Sequence, residues 1–131
     1  MQDKGLTFWM TSPNKFLVAT DSTSGRVLGC ISYRKIAEDT VEMHRLSVDP
    51  NCRGLGLGQK LVQELLRTAK QNGFTSMYLE TSFAQKSAIK LYERMGFQFV
   101  RVCNAKPGFW LIGFLMDNFT AFAVFAYMKQ I

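Results

Sequence analysis

The chain has 131 residues, of which 47% are hydrophobic and 20% charged, so we expect one folded domain over residues 1–131 rather than a disordered chain. Its net charge of +6 favours an anionic ligand, nucleic acid or an acidic membrane surface. The basic residues are scattered and match no zinc-finger or basic-helix pattern, so we expect no nucleic-acid partner. Three distant cysteines and one histidine predict neither a disulfide framework nor a metal site.

The first strands are predicted between residues 16 and 48. Residues 1–13 match no signal-sequence pattern, so we expect no signal sequence or transmembrane run before them. Phe16–Thr20 and Arg26–Arg34 are apolar segments that flank the turn cluster Asp21–Gly25, so the sequence predicts a hairpin. A polar loop then leads to a third strand, Val41–Val48.

This third strand changes the parity of its apolar residues part-way along. Val41 and Met43 fall on one face of a regular strand, whereas Leu46 and Val48 fall on the other. Since a half-buried strand keeps its apolar side chains on one face, the change favours a one-residue bulge near His44–Arg45. Such a bulge would leave backbone groups free for a ligand. A strand buried on both faces is the alternative.

A glycine-rich stretch follows that strand and precedes a long amphipathic helix. Glycines leave room for a ligand near the backbone, and a helix N-terminus offers free N–H donors and a partial positive charge. The dinucleotide fingerprint fails because its third glycine position holds Gln59, and the P-loop fails because Leu61 follows Lys60. What remains is Arg53-x-x-Gly56-x-Gly58, which predicts an anion-binding loop for a phosphorylated cofactor.

The helix after the loop is predicted from its apolar periodicity, with Asn72–Gly73 as its C-cap. Phe74–Glu80 is the next strand. The order strand, loop, helix, strand implies a parallel, right-handed crossover with the glycine loop at the carboxyl edge of the sheet. The apolar face of the helix consists of Leu57, Leu61, Val62, Leu65, Leu66 and Ala69, and Glu64 is predicted on the polar face.

A second helix is predicted after this strand. Thr81–Gln85 opens it, with Ser82 and Gln85 as a capping box, and Gly96 ends it. Phe97–Val102 is a further strand. The apolar face of the helix is predicted to consist of Ala88, Ile89, Tyr92 and Met95.

Two blocks of this chain resemble the signatures of the GNAT superfamily of acetyltransferases. The first, Arg53-x-x-Gly56-x-Gly58, is similar to the acyl-CoA pyrophosphate loop. The second runs from Gln85 to Phe97 and resembles Asn-x-x-Ala-x-x-Leu-Tyr-x-x-x-Gly-Phe, with Gln85 in place of the usual Asn. The resemblance covers roughly Phe16 to Val102. It implies a GNAT fold of the α/β class (α+β sandwich type), with helices packed on a mixed central sheet.

Three segments look like the camello-like branch of this superfamily, animal N-acetyltransferases usually anchored in the endoplasmic reticulum. They are Val41–Val48, Leu79-Glu80-Thr81-Ser82 and Leu91-Tyr92-x-x-Met95-Gly96-Phe97. That branch carries an apolar anchor before its catalytic domain, and we expect this chain to lack it. We also expect it to lack the first strand and the helices that shape the acceptor pocket in most of the superfamily. We therefore expect shortened N-terminal elements.

The resemblance implies an N-acetyltransferase that moves an acetyl group from acetyl-CoA to a primary amine by direct attack in a ternary complex. The acceptor would be a small amine, such as a cysteine S-conjugate, or a protein lysine. Tyr92 would protonate the departing thiolate, although a core tyrosine on an amphipathic helix is the alternative. The resemblance also implies a set of cofactor-binding residues: Leu46, Ser47, Val48, Arg53, Gly54, Leu55, Gly56, Leu57, Gly58 and Gln85.

The general base has three candidates. Glu42 lies 11 residues before Arg53, the spacing at which some histone-acetylating GNAT enzymes carry their base. His44 would share its face of a regular strand, and Glu80 ends the neighbouring strand. An exposed strand carboxylate is an equal alternative for Glu42, and a lone histidine is more often structural. No cysteine has a base pattern nearby, so a covalent acyl-cysteine route is not favoured.

The segment Gly108–Met128 is unusually apolar. Asp117 and Asn118 near its centre disfavour a membrane span, so we expect Phe119–Met128 to form the last strand and the preceding residues to lie on a membrane surface or a partner. The camello-like resemblance implies association with the endoplasmic reticulum membrane, whereas without it a cytoplasmic protein is expected. The oligomeric state stays open, with a dimer among the alternatives.

Two other functions stay open from the sequence. The chain could bind acyl-CoA without turnover, as a weak or inactive regulatory module that lacks a complete acceptor site. Binding of nucleic acid or a membrane surface rests on the net charge alone. Detectable acetyl transfer would separate catalysis from binding, and steep salt dependence would be required to support a nucleic-acid partner.

Overall fold

The computed structural model describes residues 2–3, 5–11, 16–103 and 124–131, with side chains for 5–8, 16–103 and 124–131. The chain divides into two compact units. The first unit consists of Met1–Met77 and Ile131, and the second unit consists of Tyr78–Gln130. A single domain over residues 1–131 stays a prediction.

Five consecutive strands come first, and α1, β6, α2 and β7 then alternate between helix and strand. Strands β1 to β5 and helix α1 belong to the first unit, and β6 begins at its end. Helix α2 and strands β7 and β8 belong to the second unit. The bounds are β1 Gln2–Asp3, β2 Leu6–Thr11, β3 Phe16–Asp21, β4 Val27–Lys35, β5 Thr40–Val48, α1 Leu57–Gln71, β6 Ser76–Ser82, α2 Lys86–Arg94, β7 Gln98–Cys103 and β8 Val124–Gln130, with a 3₁₀ turn at Pro50–Cys52.

Strands β1 to β5 form an antiparallel meander in which each strand pairs with the next. The predicted hairpin is β3 and β4. The expectation that the first strand is missing is wrong, because β2 pairs residue by residue with β3, from Leu6 opposite Asp21 to Thr11 opposite Phe16. Proximity in sequence explains this pairing, since four residues separate the two strands. Among the described residues before α1 there is no other α-helix.

Helix α1 packs on β3, β4 and β5. Its predicted apolar face is buried except for Leu66, which is half-buried, and Leu61, Val62, Leu65 and Ala69 are fully covered. The helix ends at Asn72, followed by Gly73 with φ +91°. Glu64 is not on the polar face as predicted. It is buried because its carboxylate pairs with Arg67 one turn later, and this pairing compensates the burial of its charge.

Gly29 lets β4 approach its neighbours. A Cβ placed there would lie 2.8 Å from the Ser47 carbonyl oxygen and 2.9 Å from Leu61 Cδ1. A side chain at this position would therefore push β4 away from both β5 and α1.

Helix α2 begins at Lys86, and the predicted capping box is wrong. Ser82 Oγ accepts a hydrogen bond from the Ala84 N–H at 3.2 Å, in a turn before the helix. Gln85 is the N-cap residue without a side-chain cap, because its Oε1 accepts from Thr81 Oγ1 at 3.2 Å. Competition from these local bonds explains the difference.

In the described residues of the second unit, α2 buries little and aromatic side chains contact one another. Of the α2 residues, Tyr92 alone is buried, and the helix is followed by Gly96 at φ +88°, as predicted. Antiparallel β7 and β8 carry Phe99, Phe125 and Tyr127, which meet edge to face at centroid distances of 5.4 and 5.8 Å.

The last predicted strand, Phe119–Met128, is observed as Val124–Gln130, and residues 119–123 lie outside the described part of the chain. The rest of the apolar segment from Gly108 lies outside it as well. Over the ranges that the structure describes, no helix combines the length and the apolarity needed to cross a membrane.

Candidate active site

Strand β5 contains the predicted bulge. Cys30 of β4 pairs with Ser47 and Ser32 pairs with His44, so Arg45 and Leu46 together lie opposite one residue of β4. Arg45 adopts φ +57°, the left-handed conformation that occurs in one type of bulge and that a non-glycine residue rarely takes. The alternative of a strand buried on both faces is wrong, because Arg45 and Ser47 are exposed.

A charged cluster lies immediately before the bulge. Glu42 is nearly covered, with 12% of its side chain exposed, and each of its carboxylate oxygens has one neighbour. Arg34 Nη2 donates to Oε2 at 3.3 Å, and His44 Nε2 lies 3.3 Å from Oε1. The imidazole is within ion-pair range of the carboxylate, but its N–H is too poorly aligned to form a hydrogen bond.

An open cavity of about 300 Å³ lies beside this cluster. Ser32, within it, is buried and donates a hydrogen bond from Oγ to the His44 carbonyl oxygen at 3.2 Å. The side chain of Ser32 therefore fixes the backbone of the residue that precedes the bulge. The cavity is lined by Phe16, Ser32, Tyr33, Arg34, His44 and Arg45.

The loop after β5 starts with a rigid turn. Asp49 Oδ1 accepts from the Asn51 N–H at 2.8 Å and caps the 3₁₀ turn, while its Oδ2 accepts from Arg26 Nη2 at 2.5 Å. This double use of one carboxylate ties the entrance of the glycine loop to the start of β4.

The glycine loop itself is exposed. Gly54 and Gly56 adopt φ +80° and +79°, and a Cβ on either would meet no atom within 4 Å. Gly56 is the N-cap of α1, and the first hydrogen bond of the helix runs from the Lys60 N–H to the Gly56 carbonyl at 3.1 Å. The three N–H groups that precede Lys60 in the helix therefore have no acceptor within it. With exposed Arg53, the loop has the donors, space and charge for a phosphate.

Three predicted site residues lie in the second unit. Tyr92 is 7% exposed, packs against Phe97, and burial raises the pKa of its phenol. Gln85 bonds to Thr81, as described above. Glu80 Oε1 accepts from Tyr78 OH at 2.7 Å, and Cys103 Sγ lies 3.6 Å away.

In the first unit, Leu46, Ser47 and Val48 end the strand that leads through the 3₁₀ turn into the glycine loop, and Glu42 and His44 are in contact. Sequence reasoning missed Arg34 and the anchoring role of Asp49. Both had a signal. Arg34 lies opposite Glu42 in a hairpin register, where opposite charges pair across strands, and Asp49-Pro50-Asn51 is a turn-capping sequence.

The model of the acetyltransferase (GNAT) family matches residues 2–97 of this chain. The chain belongs to the GNAT acetyltransferase family. The predicted resemblance to the camello-like branch is also confirmed. The probable N-acetyltransferase camello of Xenopus laevis is 34% identical over all of this chain and 57% of its own length. The N-acetylaspartate synthetase of Xenopus tropicalis is 38% identical over 72% of this chain and 35% of its own length.

Solved structures confirm the predicted α/β fold, a mixed sheet with helices packed on it. The IAA acetyltransferase of Bacillus cereus superposes with a TM-score of 0.75 at 19% identity, covering 90% of this chain and 78% of that one. A GNAT family acetyltransferase from Elizabethkingia anophelis, solved with acetyl-CoA bound, gives 0.74 at 14% identity, covering 90% and 76%. The chain spans little more than half the length of the camello proteins that it matches.

Proposed function

We propose that this chain is an acetyl-CoA-dependent N-acetyltransferase. The observation that carries the proposal is the exposed glycine loop at the N-terminus of α1, in a chain that belongs to an acetyltransferase family. Its two left-handed glycines leave open space in front of the backbone, and a pyrophosphate needs that space to reach N–H donors.

The residues that would hold acetyl-CoA fall into two groups. Arg53 and the backbone from Gly54 to Gly58 would bind the pyrophosphate, and Leu46, Ser47 and Val48 after the bulge would lie along the pantetheine arm. Gln85 is a further proposed contact, weakened by its bond to Thr81. Acetyl-CoA supplies the acetyl thioester, and the protein contributes binding, orientation and proton transfer.

The proton transfers need a base and an acid. The acceptor arrives as an ammonium and must lose a proton before its nitrogen can attack. We assign this step to the Glu42–His44 pair, with Glu80 as a less favoured candidate. Tyr92 is the proposed acid for the departing thiolate. Because burial raises the pKa of Tyr92, its phenol keeps its proton at neutral pH.

The acceptor proposed is a primary amine, either a small molecule such as a cysteine S-conjugate or a protein lysine. The relative named N-acetylaspartate synthetase supports the small-molecule class. Association with the endoplasmic reticulum membrane, and contact of residues 108–128 with a membrane surface or a partner, are parts of the same proposal that rest on the camello-like relatives.

Calorimetric titration with acetyl-CoA tests the cofactor site. Gly56→Trp should abolish binding, because a side chain at φ +79° distorts the loop and fills the phosphate position. Gly73→Trp is the matched control: it has φ +91°, it is equally open, and it lies at the other end of α1. If both variants fold by circular dichroism and lose binding equally, the loop is not the phosphate site.

A free-thiol assay over a panel of amines tests catalysis. Tyr92→Phe should lower acceptor-dependent thiol release by about 10²-fold without weakening acetyl-CoA binding. Binding without acceptor-dependent release by the wild type would instead show an acyl-CoA-binding module. No binding by the wild type would overturn the proposed function.

A further inference from the structure

We propose that His44 is the catalytic base and that Glu42 is its positioning residue. This assignment rests on the proposed function and divides the roles within the Glu42–His44 pair. The geometry of the bulged strand and of the adjacent cavity carries it.

Glu42 faces its two partners rather than the cavity. One carboxylate oxygen lies against Arg34 and the other against His44, and 12% of the side chain is exposed. Among the residues that line the cavity, Arg34 and His44 are present and Glu42 is not. An amine bound in this cavity would therefore meet the imidazole first.

The imidazole of His44 presents its two nitrogens to different surroundings. Nε2 is covered, points towards Glu42 Oε1 and has no hydrogen-bond partner among the residues that the structure describes. A third of the side chain stays exposed and His44 lines the cavity, so with Nε2 covered the ring nitrogen left for a bound amine is Nδ1. A carboxylate beside Nε2 favours the tautomer with the proton on that nitrogen. The lone pair of Nδ1 is then the one that accepts a proton in the proposed step.

The bulge keeps this ring in place. Ser32 Oγ holds the His44 carbonyl, and the left-handed backbone of Arg45 turns the strand immediately afterwards. The charged groups around His44 are Arg34 and Arg45, which line the cavity, and Glu42, which lies beside Nε2. Two guanidinium groups near the cavity disfavour a bound ammonium and favour the neutral amine that attacks.

The proposed proton transfer is balanced within the site. The acceptor R–NH₃⁺ gives one proton to Nδ1 of His44, the electron pair of the broken N–H bond stays on the amine nitrogen, and the ring becomes an imidazolium beside Glu42. The neutral R–NH₂ then attacks the thioester carbonyl. No oxidant, metal or covalent enzyme intermediate takes part.

His44 is the one histidine in the sequence, so its ring nitrogens can be observed by ¹⁵N NMR without ambiguity. When the His44 ring of the wild-type protein is uncharged, we expect the proton on Nε2 and none on Nδ1. Glu42→Gln should reduce this preference, because it removes the charge beside Nε2. Glu80→Gln, a carboxylate change in the second unit, is the control and should leave the spectrum unchanged. A wild-type ring protonated on Nδ1 would overturn the proposal.

Kinetics provide an independent test. His44→Gln should lower kcat/KM by about 10²-fold or more while the acetyl-CoA affinity stays the same, and added imidazole should rescue His44→Ala but not Glu42→Gln. If Glu42→Gln abolishes transfer while His44→Gln keeps more than about a tenth of the activity, Glu42 is the base and the proposal is wrong. No transfer by the wild type to any amine would overturn the proposed function, and this proposal with it.

Discussion

The two units of the chain bury their helices to different depths. In the first unit, α1 has 15 residues and buries six of them, including the pair Leu61 and Leu65 with no exposed surface. In the second unit, α2 has nine residues and buries Tyr92 alone. The described part of this unit also carries edge-to-face contacts between Phe83, Phe99, Phe125 and Tyr127.

The candidate site residues of the two units therefore rest on different kinds of contact. The first unit holds the glycine loop and the Glu42–His44 pair on a close-packed base, where small changes of volume are costly. The second unit carries tyrosines whose hydroxyl groups bond to carboxylates, such as Tyr78 to Glu80 and Tyr127 to Glu93. We therefore expect the first unit to respond most to changes of packing and the second unit to respond most to alkaline pH.

The largest effect should come from truncating the core of the first unit. Leu61→Ala removes a fully buried side chain and should lower the free energy of unfolding by about 2–5 kcal/mol. Leu91→Ala, at a half-buried position of α2, is the matched change and should cost about 1 kcal/mol. Urea denaturation followed by circular dichroism measures both. Equal losses would remove the distinction between the two units.

A smaller effect is expected from adding one methyl group to a glycine in each unit. Gly29→Ala brings its Cβ within 3 Å of two groups in the first unit and should cost about 1–3 kcal/mol. Gly96→Ala strains a left-handed residue and displaces Lys129 Nζ, the mobile end of a side chain, so it should cost about 1–2 kcal/mol. Thermal unfolding of the two variants tests the order, and a Gly29→Ala protein as stable as wild type would show that β4 can move.

The smallest expected effect on the free energy of unfolding comes from the tyrosines of the second unit. It is absent near neutral pH and appears only under alkaline conditions. Burial, opposed in part by Arg101, raises the pKa of Tyr78 to about 12, and burial also raises the pKa values of Tyr92 and Tyr127. A raised pKa means that the folded state binds the proton more tightly than the unfolded state. The stabilisation is therefore complete below pH ~10 and is lost as the pH rises towards 12.

Tyrosinate absorbance and urea denaturation at pH 8 to 11.5 check this expectation. Tyr78→Phe should reduce the pH dependence, because it removes one of the shifted phenols. A free energy of unfolding that stays constant across this range would contradict the assigned shifts.

Much of the candidate site could be predicted from local sequence. The change of parity between Met43 and Leu46 predicted the bulge, because one extra residue is the economical way to keep both apolar pairs in contact with the core. The glycines at positions 54 and 56 predicted the loop before α1. The capping box at Ser82 was wrong, because short-range bonds to Ala84 and Thr81 used the same side chains.

The sequence by itself determined the elements whose causes are local. Helical periodicity determined α1, glycines in the left-handed conformation determined where both helices end, and the family signatures determined the chemistry proposed. The tertiary structure decided which strands pair in which register and which polar side chains are covered. It paired β2 with β3, buried Glu64 beside Arg67, and placed Arg34 and His44 against different oxygens of the Glu42 carboxylate. These contacts depend on strand register and burial, which local sequence patterns specify weakly.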